Sequence, residues 1–583
     1  MSHTVRLLFV LLFLFVPSQT VASQPATVCD DPYQILHQHY QAVGGLDRLK
    51  NLKSSFAEGR IRHDQLHGTF KSWAAPPLRY RLEENYGIIQ QQEGDDGSQR
   101  WQQDTNGQLL LDRDPETLKR RRIEARLARY EHLDKNSDVF TLAYLGVAEV
   151  NGHFCDQIEL RNNINSDVSL FFIDRETRLM PKSIHRQPDY TLTSYYDDFR
   201  EVDRFIFPFY ENTLITPWNK EEEVWVEQYR VDLPIDEKLF AVPKKPAADF
   251  YFPEGMTSAE VSFLFVENMI FLPLCIADEC RYWTLDSGAS MSVIDADYAA
   301  RLGLKPQGEI SGYGFGELFK LAFVELPRYR VGQIAFEPQK IYVSQGLMER
   351  SYEPVVAGIL GYDFLSRFVV DIDYAAGKVR FHAPQSYQYS GSGQLFDAPL
   401  KYRTFQLPVS LEGLKGQWSL DLGSHRSSLL YPFAERHNLL QRPGVETVSQ
   451  GLTGVAFEQE SPFEKMQIGR FELNHQLVSI PKEKGAGASA LGEIAGYLGN
   501  ATLRNFRVIL DYPHQQVILE EGAGFNQPVP RDGSGMLLGL SKSDQPMVSF
   551  VADKSPASRA GFVGGDLIVQ VNERSVENFG GVV

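Results

Sequence analysis

Two aspartates carry the most chemistry in this sequence. Asp286 stands in RYWTLDSGASMSVI (281–294) and Asp421 in GQWSLDLGSHRSSLL (416–430). In each, an apolar run with strand character, YWTL or QWSL, ends on the Asp; Gly288 or Gly423 follows two residues later, then a small residue, Ala289 or Ser424. A glycine at that point lets the backbone turn tightly and lets another group approach the carboxylate closely. Two carboxylates brought together cannot both ionise easily, so they share a proton and titrate as a pair. One then acts as general base on a bound water while the other polarises and protonates a carbonyl. Such chemistry needs no cofactor, no metal and no covalent intermediate. No GxSxG, HExxH or cysteine–histidine pattern in the chain competes for the role.

The surroundings of both aspartates recur, which is why an internal repeat is the first organising feature to look for. GILGYDFLSRFVVDIDYAAGKVRF (358–381) and GYLGNATLRNFRVILDYPHQQVIL (496–519) align without a gap. Gly361 and Gly499, Phe368 and Phe506, Asp373 and Asp511, and Tyr374 and Tyr512 are each 138 residues apart, against 135 for the two aspartates. Each copy places an apolar strand and a glycine before a short helix, then a strand pair that turns at DY. A strand running beneath the Asp turn would press on it and hold its geometry.

With these motifs in view, residues 260–520 resemble the retropepsin-like and pepsin-like aspartic peptidases. The resemblance implies a bilobal fold of double-psi-type β domains, a polypeptide substrate, and Asp286 and Asp421 as the catalytic pair. It also implies that Ser287, Gly288, Gly361, Gly423 and Gly499 support the catalytic loops. In that family a Ser or Thr after each Asp braces the opposite loop through its hydroxyl. Ser287 fits this pattern; Leu422 cannot make the bond, and NATL stands in the second copy where the first has YDFL. His425 and Arg426 bring potential positive charge beside Asp421, which would favour its ionised form. A glycine-rich hairpin over the site is expected at ISGYGFGELF (310–319), with Tyr313 and Phe315 as substrate contacts, and SQGLTGVAFE (449–458) as its counterpart. Three readings stay open: one chain supplying both aspartates, a homodimer in which Asp286 faces its own copy, and a related fold that binds lipid or peptides with weak or no catalysis.

The elements that must position these residues sit in a chain too long for one hydrophobic core. Composition is that of globular protein, 43% hydrophobic and 23% charged, and the formal charge of −17 argues against a nucleic-acid partner. Arg6, the apolar run Leu7–Val16 and small Ala22 and Ser23 read as a secretory signal over 1–23, with an uncleaved anchor as the alternative, so a periplasmic or secreted location is expected. Export permits disulfides. Cys275 and Cys280 flank a polar hairpin tip, leaving Cys29 to pair with Cys155; four free thiols is the competing reading. No cysteine has zinc spacing.

Residues 30–242 open on a helix capped by Asp31-Pro32 and continue as short period-two runs, the pattern of an antiparallel curved sheet with one wet face. YQAVGGLDRL, DDGSQRW and FFIDRETRL make this segment resemble the periplasmic lipoprotein-carrier domains, which implies a bound lipid; Gly97 and Trp101 also read simply as a turn and a core aromatic. LKRRRIEARLARYEHL, within 115–134, has helical spacing and a basic face, read as a solvated helix rather than a binding patch. Residues 243–259 read as a linker, 260–385 and 386–522 as the two halves of the repeat. Over 532–583 the order LLGL, VSFVADKSPASRAG, GDLIVQVNE resembles part of a PDZ domain. That implies a peptide C-terminus captured by a loop at Leu538, Gly539 and Leu540. The whole is expected to be a mainly β, multidomain protein.

Overall fold

The computed structural model describes residues 30–244, 248–313, 315–316, 318–347, 355–451, 454–527, 534–541 and 545–576. The expected signal segment, 1–23, and Cys29 lie outside them. The chain is mainly β and multidomain, with several separate sheets. It divides into two compact units: Met1–Pro246 with Gly308–Ser311, and Ala247–Gln307 with Gly312–Val583. Among the described residues no helix is long and apolar enough to cross a membrane.

The first unit is a 13-stranded antiparallel sheet in which the first strand, Ser55–His63, pairs with the last, Lys220–Val231. The helix predicted at Asp31-Pro32 runs Pro32–Ala42, with the Asp31 carboxylate accepting from the Tyr33 N–H, and buries Ile35, Leu36 and Tyr40. Gly97 is a left-handed turn residue (φ 96°), and Trp101 is fully buried with its indole N–H donating to the Phe240 carbonyl oxygen. The basic helix, Pro115–Leu127, expected to be solvated, ties two of its arginines to buried carboxylates. Arg120 pairs with buried Asp167 and Arg121 with buried Asp95. Cys155, expected to pair with Cys29, is a free buried thiol whose pKa is pushed up to about 12, by burial first and then by the charges of Asp174 and Asp156.

In the second unit the two repeats build separate sheets and share a third. That third sheet has six strands, three from each repeat, in the order Ser258–Ser262, Lys378–His382, Val369–Asp373, Phe506–Asp511, Gln516–Glu521, Gln394–Asp397. Its central pair is antiparallel, Val369 opposite Asp511 and Asp373 opposite Arg507, so the two copies meet about a local twofold axis. Asp371 ties the seam through Arg507, at 2.6 and 2.8 Å.

Part of the stretch read as a linker, 243–259, joins the sheets of the second unit. Phe250–Tyr251 pairs with Phe336 and Ala335, Ser258–Ser262 pairs with the shared sheet, and Asp249 accepts from buried Arg367 at 3.0 Å. Its Pro and charge content resembled a connector, but its aromatic residues find partners some 85 positions away. In the tail, Leu538, Gly539 and Leu540 do not form a loop. They lie in the strand Met536–Leu540, opposite Val548, Met547 and Pro546, and the loop reading is corrected accordingly.

Candidate active site

Each repeat builds its aspartate turn from the same three strands. In the first, Glu279–Leu285 runs parallel to Val356–Leu360, which is antiparallel to Val293–Asp295. In the second, Leu414–Leu420 runs parallel to Gly496–Leu498, which is antiparallel to Ser427–Leu429. Trp283 and Trp418 fill equivalent, fully buried positions beneath the turns. A Cβ on Gly358 would sit 2.4 Å from the Trp283 ring, and one on Gly496 would sit 2.9 Å from the Trp418 ring, so both positions admit only glycine. Truncating either tryptophan to Ala is expected to cost about 3–5 kcal/mol.

The strand beneath each turn then fastens it. The Asp286 N–H donates to the Leu360 carbonyl oxygen and the Asp421 N–H to that of Leu498, both at 3.0 Å. Past Gly361, the Tyr362 N–H donates to the Ala289 carbonyl oxygen at 2.9 Å; past Gly499, the Asn500 N–H donates to that of Ser424 at 2.8 Å. Side chains at Gly361 or Gly499 would collide with the turn itself, at 2.7 Å from Met291 C and 2.1 Å from Arg426 O. Ser292 Oγ accepts from the Gly361 N–H at 3.0 Å, and Ser427 Oγ accepts from the Gly499 N–H at 3.1 Å.

These turns bring the two carboxyls from residues 135 apart close enough together for their titrations to couple. Each aspartate faces the other copy's glycine. A Cβ on Gly288 would lie 2.6 Å from Asp421 Oδ1, and one on Gly423 would lie 2.2 Å from Asp286 Cγ. Asp286 Oδ1 accepts from the N–H groups of Gly288 and Ala289 at 2.8 and 3.0 Å; Asp421 Oδ1 accepts from the Gly423 N–H at 2.9 Å. Burial raises the pKa of Asp286 against the pull of those N–H groups. It raises that of Asp421 further, with the Asp286 charge adding to it. The arrangement therefore favours one proton held between two carboxyls.

Ser287, fully buried, donates from Oγ to the Leu420 carbonyl oxygen at 2.8 Å and accepts from the Leu422 N–H at 2.9 Å. It thus braces the opposite loop, while Leu422 is buried with no hydroxyl to return the bond. The positive charge expected beside Asp421 is largely quenched. Burial, then the Arg426 charge, pushes His425 down to about 4, so its ring is neutral above that pH. Arg426 itself donates to Thr447 Oγ1 at 3.0 Å and lies 3.6 Å from Glu460.

Of the hairpin residues, Phe315 and Gly316 pair in antiparallel register with Gly487 and Ala486 of the second repeat. The side chains of Tyr313 and Phe315 lie outside what is described. Cys275 and Cys280 are directly opposite in the hairpin that leads to Asp286 and are disulfide-bonded. Sequence reading missed two residues at the site. Arg403 donates to the Ser290 carbonyl oxygen at 3.0 Å, and Asn500 donates from Nδ2 to that of Leu422 at 2.7 Å. Among the described residues no three His, Cys, Asp or Glu side chains gather as a metal site would require.

A family model described as aspartyl protease matches residues 273–364. That stretch is similar to the aspartyl proteases. The match spans Asp286 and Gly361 and gives the region a protease-like character; it stops short of Asp421, which joins through the internal repeat and the geometry above. No curated protein matches the chain. Among solved structures, a DUF1329 family protein from Desulfovibrio piger shares 10% identity over 36% of this chain and 95% of its own, with a TM-score of 0.27. A putative outer membrane lipoprotein-sorting protein domain from Vibrio parahaemolyticus shares 10% identity over 36% of this chain and 95% of its own, TM-score 0.26. A LolA superfamily protein from Nitrosomonas europaea shares 9% over 36% and 97%, TM-score 0.26.

Proposed function

We propose that the chain is an exported aspartic endopeptidase in which Asp286 and Asp421 form a single-chain catalytic dyad. The observation that carries this reading is the reciprocal contact of the two turns: each carboxyl packs on the glycine of the opposite copy, close enough to its partner for the two to couple. Burial raises both pKa values and the Asp286 charge raises that of Asp421 further, so the dyad loses its protons in two separate steps with a one-proton form between them. The ionised member takes a proton from the attacking water, and the protonated member gives its own to the carbonyl oxygen of the peptide bond. The resulting tetrahedral diol collapses as the proton returns toward the leaving nitrogen. Ser287 and the N–H groups of Gly288, Ala289 and Gly423 keep the two carboxyls in one orientation through this exchange.

The shared six-stranded sheet favours one chain over a homodimer, because the second repeat occupies the place a partner copy would take. An oxidising, extracytoplasmic compartment fits the Cys275–Cys280 bridge. Purified protein is expected to cleave an unfolded protein mixture at acid pH, and Asp286→Asn and Asp421→Asn are each expected to abolish cleavage. Undiminished cleavage by Asp286→Asn overturns the assignment; loss in Asp286→Asn alone, with Asp421→Asn active, replaces the single-chain dyad by a homodimer.

A further inference from the structure

The second catalytic turn lacks half of its brace, and the structure shows what stands in that place. Asn500 is fully buried. Its Nδ2 donates to the Leu422 carbonyl oxygen at 2.7 Å, its Oδ1 accepts from the Tyr374 hydroxyl at 2.7 Å, and its backbone N–H donates to the Ser424 carbonyl oxygen at 2.8 Å. Asn500 therefore grips the Asp421 turn at two points and is itself held by a tyrosine from the other repeat.

The repeat supplies an internal control. Tyr362 is the counterpart of Asn500, and Tyr512 the counterpart of Tyr374, each 138 residues away. On that side, where Ser287 makes the brace, the two residues meet only as rings, at 5.8 Å between centroids. The Tyr512 hydroxyl is buried and makes no hydrogen bond among the described residues. The same two positions thus pack as rings where the hydroxyl brace is present and form a hydrogen-bonded chain where it is absent.

We infer that Asn500, held by Tyr374, is a positioning residue that replaces the missing hydroxyl brace and fixes the orientation of Asp421 against Asp286. It touches neither carboxyl, so it acts through the backbone of Leu422 and Ser424. The inference rests on the dyad reading above, and its test separates the two. Asn500→Ala is expected to lower kcat between about 10- and 100-fold with KM unchanged, as loss of orientation does, and to narrow the pH profile as the dyad's two apparent pKa values draw together. Tyr374→Phe, which removes one hydroxyl and keeps the ring, is expected to act in the same direction more weakly. Leu422→Thr should restore activity specifically in the Asn500→Ala background, because a threonine hydroxyl at 422 mirrors Ser287 and reaches the carbonyl oxygen of Leu285, the counterpart of Leu420. Parent kcat and pH profile in both Asn500→Ala and Tyr374→Phe, or no rescue by Leu422→Thr in a folded double variant, overturns the inference. Carboxyl titration of the dyad by 13C NMR on aspartate-labelled protein gives a readout independent of turnover. If the parent is inactive the dyad reading falls, while an unchanged titration in Asn500→Ala overturns the positioning role by itself.

Discussion

Gly423→Ala puts the reciprocal contact at the centre of the site under direct strain. The added methyl would stand 2.2 Å from Asp286 Cγ and 2.4 Å from each of its oxygens. Non-bonded heavy atoms settle near about 3.5 Å, so either the turn or the carboxylate must give way by roughly 1 Å. A displacement of that size at a reacting group costs about 100-fold in rate. Overpacking of the same kind costs about 1–3 kcal/mol of stability. Gly413→Ala is the contrasting control: its φ of 89° is unfriendly to a side chain, but nothing lies within 4 Å of the new methyl. It is expected to lose about 1–2 kcal/mol through left-handed backbone strain and to keep its kcat. The assay is kcat for a peptide substrate at acid pH, with thermal unfolding measured on the same preparations. A Gly423→Ala protein with parent kcat refutes the reasoning, since the Asp286 carboxylate would then not rest on this glycine when the protein works.

Three further outcomes follow from charge and covalent links. The dyad carboxyls have folded pKa values above the ordinary 3.8, so the stability they contribute is complete below about that pH and is lost as pH rises through the folded values. Asp421→Asn should accordingly raise Tm at pH 7 and leave it unchanged near pH 3; a lowered Tm at pH 7 would contradict the raised values. Asp371 shows the opposite sign: burial would raise it, but the hydrogen bonds from Arg507, with the His382 ring 3.8 Å away, bring it to about 2. Asp371→Asn is therefore expected to destabilise at pH 7, with the difference from the parent shrinking as pH falls from about 4 to about 2. A pH-independent difference in unfolding free energy would refute that. Replacing Cys275 and Cys280 by Ser opens a loop of sequence separation 5, for which chain entropy gives about 2 kcal/mol. Denaturant unfolding checks the size, and Asp286-dependent cleavage should persist.

The carboxylate pair was legible because the repeat encodes it twice in short, local patterns. Each Asp-x-Gly turn with the apolar strand ahead of it, and each apolar-apolar-Gly segment further on, is a short contiguous pattern, and the 138-residue spacing carried Asp421 where its own loop departs from pattern. What escaped sequence reading depends on contacts that no local pattern encodes. Phe250 and Asp249 looked like connector residues because their partners, Phe336 and Arg367, lie far along the chain. His425 looked like a cation because burial, which neutralises it, is not written in its neighbours. NATL looked like decay of the motif, although Asn500 within it makes two side-chain hydrogen bonds, one to the turn at Leu422 and one from Tyr374 of the other repeat. The tripeptide Leu538–Leu540 carried loop-like glycine but pairs as a strand, and its partner Pro546–Val551 decides that.

The antiparallel pairing of Val369–Asp373 with Phe506–Asp511 has an evolutionary consequence. In a true dimer of identical chains, every substitution appears on both sides of the axis, so a change that weakens one turn weakens both at once. Here the axis relates two stretches of one gene, and mutation reaches each separately. Serine can be kept on one side while leucine and asparagine arise on the other, and a tyrosine can lose its hydrogen bond in one copy while its twin keeps it. Once fused, the halves are free to become unequal, and the two aspartates need no longer be interchangeable.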